Sequence, residues 1–363
     1  MDRFGTLLAA ACVILSMSGC GAAGSSPSDS STVLYSFGAS STDGVAPHGL
    51  IQGADGNFYG VTDGGGAHAG GTFFKITPAG VESVVYSFGA SSTDGTNPES
   101  VIQGADGNFY GTTAFGGNGD GCHSTSIGPG TFYMITPAGV ETVLYVFGAS
   151  DTDGAGPTGG VIQGADGNFY GTTFDGGAFA ILEVGCSLCN YGTVYKITPT
   201  GAESVVYSFG ASSSDGTSPG SVIQGTDGNF YGTTATGGAN GYGGQGIGVG
   251  TVYKITPAGV ETILHSFGAS SADGIAPDCV IQGKDGNLYG VTGAGGANGG
   301  GTLFMITPAG EESVLYSFGP STASITNLWE PSGGVIQGAD GNLYGFTSAG
   351  GTNGDGTIFK YTP

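Results

Sequence analysis

The chain has 363 residues, with 28 acidic residues against only 6 lysines and arginines, so its formal net charge is −22. A surface this acidic repels phosphate groups, which disfavours nucleic acid and anionic lipid surfaces as partners. Glycine is abundant, with 78 copies, but it alternates with 20 phenylalanines and 17 tyrosines whose burial can order the chain, so disorder is not expected.

The N-terminal segment, MDRFGTLLAAACVILSMSGC, predicts export. Its apolar run is too short to span a bilayer and is typical of a signal-peptide core. The small residues before Cys20 resemble the lipobox of bacterial lipoproteins, in which the cysteine is lipidated and becomes the new N-terminus. The alternative is an ordinary secretory signal in which Cys20 has no special role. We expect a signal peptide at 1–19, a flexible tether at 20–31 and a folded region at 32–363.

Three motifs then recur six times each along the chain. The first copies are YSFG at Tyr35, DGNFYG at Asp55 and GTFFKITP at Gly71, and the DGN motif returns every 51 to 61 residues. Such a period is typical of stacked supersecondary units. The first unit divides into four predicted strands: GLIQGA (A), NFYGVT (B), GTFFKITP (C) and VESVVYSFG (D).

The spacing of the motifs separates a constant end of each unit from a variable one. Asp-Gly predicts a two-residue hairpin turn between strands A and B, and TPAG predicts a tight turn between C and D. The number of residues from the B-strand tyrosine to the C-strand threonine runs 13, 21, 23, 20, 13 and 13. In an up-and-down sheet, all variation in length therefore falls on the end that carries the B–C and D–A connections.

The folded region begins with an isolated D strand, STVLYSFG, and ends with an isolated C strand, GTIFKYTP. Together they complete a sixth four-stranded unit and remove two unpaired sheet edges. The sequence thus predicts an all-β fold, a six-bladed β-propeller of four-stranded blades with velcro closure by the N-terminal strand.

The repeats, which combine as DGNFYGTT…GG…GTVYKITPAGVETVLYSFG, resemble the GloVer tandem repeat of choice-of-anchor proteins over essentially all of 32–363. The resemblance implies an exported bacterial repeat protein, and it suits a lipid anchor at Cys20. It implies no catalytic residue, because the family carries no established activity.

Two sets of aspartates were considered as site residues. Those of the DGN motif are interpreted as turn residues. The second set lies in DG-x-x-P segments of the D–A connections and could bind a cation or sugar hydroxyls, although loop formation explains it equally well. Its members are Asp43, Asp94, Asp153, Asp215 and Asp273.

The cysteines of the long B–C connections offer a disulfide or a metal site. Cys122, Cys186 and Cys189 are disulfide candidates, because an exported chain meets oxidising conditions. With His123 they have the ligand count of a structural zinc site, which is the weaker alternative. Cys279, by contrast, is expected to be a lone small apolar residue.

The long B–C connections of blades 2 to 4 are predicted to form a lobe with exposed aromatic, amide and acidic groups. The candidate ligand-binding residues here, and at the longest D–A connection, are Glu183, Tyr191, Tyr242 and Trp329. We expect a monomeric, non-enzymatic module without a cofactor that binds carbohydrate or protein at the cell surface and touches the membrane only through its lipid. The alternatives are a polysaccharide lyase or hydrolase using acids such as Asp120, Asp175 and Glu183, and a purely structural envelope protein.

Overall fold

The computed structural model describes residues 33–117, 128–150, 152–179, 191–240, 248–319, 331, 333–351 and 356–363, together with the backbone of 181–183, 186–189, 328–330 and 332. Within these residues all regular structure is β, and no helix is long and apolar enough to span a membrane. The strands fall into antiparallel sheets that follow chain order, one for each predicted repeat, and a separate two-stranded sheet is formed within the third repeat. The prediction of an all-β fold of the six-bladed β-propeller class is confirmed.

The chain divides into two compact units, which are described separately. The first unit contains blades 1 and 2. The strands of blade 1 are β1 (Gly44–Gln52), β2 (Phe58–Gly65), β3 (Thr72–Ile76) and β4 (Glu82–Ser87). Those of blade 2 are β5 (Gly95–Gln103), β6 (Phe109–Gly116), β7 (Thr131–Ile135) and β8 (Glu141–Val146).

The second unit contains blades 3 to 6. The strands of blade 3 are β9 (Gly154–Pro157), β10 (Ile162–Gln163), β11 (Phe169–Gly176), β12 (Ile181–Glu183), β13 (Cys186–Cys189), β14 (Thr193–Ile197) and β15 (Glu203–Ser208). Those of blade 4 are β16 (Gly216–Gln224), β17 (Phe230–Gly237), β18 (Thr251–Ile255) and β19 (Glu261–Ser266). Those of blade 5 are β20 (Gly274–Gln282), β21 (Leu288–Gly295), β22 (Thr302–Ile306) and β23 (Glu312–Ser317), and those of blade 6 are β24 (Leu328–Gln337), β25 (Leu343–Gly350) and β26 (Thr357–Tyr361).

Apolar side chains on both faces of the blades pack against the neighbouring blade of the same unit. Between blades 4 and 5, for example, the fully buried Val252 and Phe267 lie in one cluster with Leu288 and Phe304. Equivalent clusters join blades 1 and 2, blades 3 and 4, and blades 5 and 6. This explains why the C strands between two packed blades are apolar on both faces, whereas in blade 6 Ile358 of the C strand is exposed.

Two predictions need correction, one about the A–B turn and one about where the A strand begins. The A–B turn of blade 1 is not a two-residue Asp-Gly turn, since the Gly56 N–H donates to the Gly53 carbonyl at 2.9 Å and Gly56 alone takes the left-handed conformation, with φ of 80°. The A strand also begins at Gly44, before the predicted GLIQGA, so the DG-x-x-P segment forms its first half. It remains in the sheet because Ala46 adopts a φ of 56° before Pro47 and a bulge follows at His48.

The velcro strand also differs from the prediction. Residues 33–37 form no strand, and the last sheet has the order β24-β25-β26, with three strands among the described residues. The segment is held by blade 1 instead: the Tyr35 hydroxyl donates to Asp43 at 2.8 Å, and the Phe37 ring lies 4.8 Å from that of Phe74. The side chains thus make the contacts of a D strand with the following blade without the expected ladder.

Candidate functional site

Five of the six D–A connections are closed by a buried aspartate, shown here for Asp215. Its Oδ2 atom accepts hydrogen bonds from the N–H groups of Gly210 and Ala211, at 2.8 and 2.9 Å, and Oδ1 accepts one from Gly216 at 2.7 Å. The other members of this predicted set, Asp43, Asp94, Asp153 and Asp273, are equally buried and accept hydrogen bonds from the N–H groups of their own loops. Of the two readings that the sequence left open, these bonds favour loop formation.

A tyrosine and a glutamate complete this arrangement. In the connection from blade 3 to blade 4 the Tyr207 hydroxyl lies 3.0 Å from Asp215 Oδ2 and 2.9 Å from Oε2 of Glu261, which opens the D strand of blade 4. Burial and the Asp215 charge raise the pKa of Glu261 above its ordinary value. Burial and the two carboxylates likewise raise the pKa of Tyr207. The phenol therefore acts as a neutral donor between two acids.

Blade 5 departs from this pattern because a histidine replaces the tyrosine. His265 Nε2 lies 3.3 Å from Asp273 Oδ2, and one ligand atom each of His265, Asp273 and Glu312 lies within 4.8 Å of the others. Asp273 was predicted as a site residue from the sequence, whereas His265 and Glu312 were not. The signal that could have found them is positional, since a D-strand tyrosine, a loop aspartate and the glutamate of the next D strand occur in this order four times, and His265 takes the place of the tyrosine in a fifth copy.

A second cluster, in blades 1 and 2, was also missed. His48 Nε2 lies 2.7 Å from Asp63 Oδ1, and Asn97 Nδ2 donates to Glu99 Oε1 at 3.2 Å. Burial, with the nearby charge of Asp63, raises the pKa of Glu99 to about 7. His48 and Glu99 each follow the proline of an A strand and lie at its bulge, a feature that redirects side chains and is frequent at functional sites.

We expect the free energy of unfolding to depend on pH through the ionisation of Glu99. A carboxyl whose pKa is raised in the folded state favours folding most below its unfolded pKa of about 4.3 and loses that contribution as pH rises towards 7. Glu99→Gln should therefore increase the free energy of unfolding by about 1 to 2 kcal/mol at pH 8, after allowance for partial exposure, and change it little at pH 4. Urea unfolding at both pH values checks this, and an equal effect at both would contradict the shift.

The DGN aspartates serve the A–B turns, as predicted. Asp227 accepts hydrogen bonds from the backbone and side chain of Asn229, from Tyr231 and from Lys254, at 2.6 to 3.1 Å. Although burial acts to raise its pKa, these hydrogen bonds hold the pKa below its usual range. The polar groups at this end of the blade are thus paired with one another.

The B–C connection of blade 3 carries the part of the predicted lobe that the structure describes. It contains an added hairpin in which Ile181 pairs with Cys189 and Glu183 with Cys186. Phe174 and Phe179, which precede this hairpin, are 42% and 46% exposed. The candidate Tyr191 instead packs partly buried against the core between blades 3 and 4, and its carbonyl accepts the Ser218 N–H at 3.1 Å. Asp175 is buried.

Several predicted site residues lie outside the described residues, so their roles stay predictions. They are Cys20, Asp120, Cys122, His123 and Tyr242, and the side chains of Glu183, Cys186, Cys189 and Trp329. Cys279 is described and its side chain is buried, in accord with its prediction as a small apolar residue.

The blades and their repeated turn and loop networks define a tandem-repeat protein of the β-propeller class. The chain belongs to the Gloeobacter/Verrucomicrobia repeat family, which matches residues 18–245 and 187–363. This confirms the resemblance to the GloVer repeat.

Solved structures with a similar fold share little sequence with the chain. The extracellular domain described as part of a one-component system of B. thetaiotaomicron is 11% identical with a TM-score of 0.51, over 90% of this chain and 35% of that chain. A luciferin-regenerating enzyme is 13% identical with a TM-score of 0.46, over 88% and 92%. A protein described as a gluconolactonase is 12% identical with a TM-score of 0.44, over 90% and 92%. No curated protein matches the chain in sequence.

Proposed function

We propose that the protein is an exported, lipid-anchored binding module that holds a carbohydrate at the cell surface through the B–C and D–A connections of its blades. The observation that carries this proposal is the exposure of Phe174 at the end of β11 and of Phe179 in the B–C connection of blade 3, both just before the added hairpin. Aromatic faces beside amide and acidic groups suit sugar rings, which combine apolar faces with hydroxyl groups.

The contrast between the two ends of each blade supports this placement. At the A–B end, aspartate, asparagine, tyrosine and lysine side chains bind one another, as around Asp227, and leave few polar groups for a ligand. At the B–C end the connections differ in length from blade to blade. A constant scaffold with variation confined to one end is the usual arrangement of a binding surface on a rigid fold.

The proposal is tested by affinity electrophoresis of the chain carrying Cys20→Ser in gels that contain a panel of polysaccharides. We expect retardation by at least one polysaccharide. Phe174→Ala and Phe179→Ala should each weaken this binding about tenfold, the loss typical of truncating an aromatic contact residue. The matched control is Val260→Ala, which removes an exposed apolar side chain from the C–D turn at the other end of a blade and should leave binding unchanged.

Two results would contradict the proposal. Retardation that neither phenylalanine substitution weakens would place the binding surface elsewhere. No retardation by any polysaccharide would reject carbohydrate as the ligand and favour a protein partner or a structural role in the envelope.

A second function, cleavage of a polysaccharide, is favoured by Glu99. A carboxyl with a pKa of about 7 is suited to general acid or base catalysis near neutral pH, and the His48–Asp63 pair lies on the adjacent blade. The same incubations distinguish the two functions, because an enzyme releases sugar products and a binding module does not. Product release that Glu99→Gln abolishes would replace the binding proposal with the enzymatic one.

A further inference from the structure

The three side chains that meet at the D–A connection of blade 5 offer the donor atoms of a metal site. His265 contributes a ring nitrogen, and Asp273 and Glu312 contribute carboxylate oxygens, all within 4.8 Å of one another. Two ligands at about 2 Å from a metal lie about 3 to 4 Å apart in tetrahedral geometry, so side-chain movements of about 1 Å would bring these donors around one ion. One imidazole and two carboxylates form a donor set that Zn²⁺ and related transition-metal dications accept.

The Glu312 Oε1 atom is buried and has no hydrogen-bond partner, a property that it shares with the equivalent oxygens of Glu82, Glu141 and Glu261. A buried carboxylate oxygen without a donor is costly, so a cation beside it would be stabilising. Because the unpaired oxygen occurs in several repeats, the imidazole of His265 is what distinguishes this cluster. The imidazole is 17% exposed and the Asp273 side chain 7%, so the cluster is mostly enclosed yet reachable from solvent.

The other repeats act as internal comparisons. Between blades 3 and 4 the corresponding residue is Tyr207, whose neutral hydroxyl lies 3.0 Å from Asp215 and 2.9 Å from Glu261 and can donate its single proton to only one of them. A neutral imidazole, in contrast to a neutral phenol, is a common metal ligand. In blade 5 the backbone bonds of the aspartate are kept, since the Ala269 and Gly274 N–H groups still donate to Asp273 at 3.0 and 2.8 Å. The replacement of tyrosine by histidine therefore changes the chemistry of the cluster while its scaffold stays the same.

We propose that His265, Asp273 and Glu312 bind one divalent transition-metal ion, with Zn²⁺ as the preferred probe. His265 binds through Nε2 with its ring proton on Nδ1, Asp273 through Oδ2 and Glu312 through Oε1. Three protein ligands leave the fourth tetrahedral position for water or for a donor group of a ligand. This site lies outside blade 3 and does not depend on the function proposed above.

The test is isothermal titration calorimetry of Zn²⁺ into the whole chain carrying Cys20→Ser, stripped with a chelator and kept reduced. His265→Tyr installs the residue that other repeats carry and should remove one equivalent of bound Zn²⁺. Tyr207→His copies the blade 5 cluster into blade 4, beside Asp215 and Glu261, and should add one equivalent. At a hundredfold excess over Kd, Zn²⁺ should raise the Tm of the parent chain by ~4 °C more than that of His265→Tyr.

The cysteines and His123 of the long connections are alternative zinc ligands, so the total number of bound Zn²⁺ ions does not test the proposal. The difference in that number between the parent chain and His265→Tyr does. Equal stoichiometry in the parent chain and His265→Tyr would overturn the proposal. Should His265→Tyr fail to fold, Glu312→Gln, which keeps the size of the side chain and weakens one ligand, should reduce the affinity at least tenfold. Unchanged affinity in Glu312→Gln would overturn the proposal equally.

Discussion

Replacing Gly301 by alanine is expected to lower the free energy of unfolding by about 2 to 5 kcal/mol. Gly301 has a φ of 96°, where a side chain costs about 1 to 2 kcal/mol, and its new Cβ would collide with the carbonyl oxygen of Thr292 and lie 2.9 Å from Pro331 Cδ. The neighbours cannot withdraw freely, because the Gly301 N–H donates to Gly295 and its carbonyl accepts from Phe318. Overpacking of this kind costs about 1 to 3 kcal/mol more.

The control for this prediction lies two residues away in the same connection. Gly299 has a similar φ of 82°, but nothing lies within 4 Å of the Cβ that alanine would add. Gly299→Ala should therefore lose only the conformational term, about 1 to 2 kcal/mol. Guanidinium chloride unfolding of both variants separates the two contributions, and equal losses would show that the collision with Thr292 is relieved by movement.

The close contacts around Gly301 also explain why the GT motif begins with glycine. The glycine of the GT motif recurs at equivalent positions, and alanine at Gly71, Gly192 or Gly250 would likewise meet a threonine carbonyl and the proline of the next A strand. Close approach of two blades, and not only local turn formation, therefore requires glycine there.

The hairpins of the blades could be predicted because their signals are local. The constant spacing around Asp55 and Thr72 fixed strands B and C, and these are found as β2 and β3. The first half of each A strand could not be predicted in the same way. Glycine and proline in DG-x-x-P indicate a loop, yet Ala46 and Ala276 adopt left-handed conformations before proline, which residue type does not favour.

The side-chain clusters escaped prediction because they join positions that are distant along the chain. His265 and Asp273 share one connection, but Glu312 opens the D strand of the following blade, so their meeting depends on how neighbouring blades pack. His48 and Glu99 were equally hidden, since a bulge after each proline determines where these side chains point. In both cases the sequence shows the residue types, but which side chains they contact depends on how the blades pack.

Substituting a buried loop aspartate and an exposed turn aspartate measures how burial affects the energetic contribution of their hydrogen bonds. Asp215 accepts four hydrogen bonds, from Tyr207 and the N–H groups of Gly210, Ala211 and Gly216, and its side chain is almost fully buried. Asp227 also accepts four, but its side chain is 40% exposed. Water can therefore replace Asp227 as an acceptor, whereas the donors around Asp215 have little access to it.

Asp215→Ala should accordingly lower the free energy of unfolding by about 4 kcal/mol, because several buried donors each lose about 1 kcal/mol or more without an acceptor. Asp227→Ala should cost only about 1 to 2 kcal/mol, since its donors become hydrated. The loss of unfolding free energy for Asp215→Asn should lie between those for Asp215→Ala and Asp227→Ala, because the amide keeps one acceptor oxygen but turns an NH₂ group towards N–H donors. Urea unfolding of the three variants measures this order. Equal losses for Asp215→Ala and Asp227→Ala would mean that water reaches the D–A loop, and the carboxylate would then be accessible to a ligand after all.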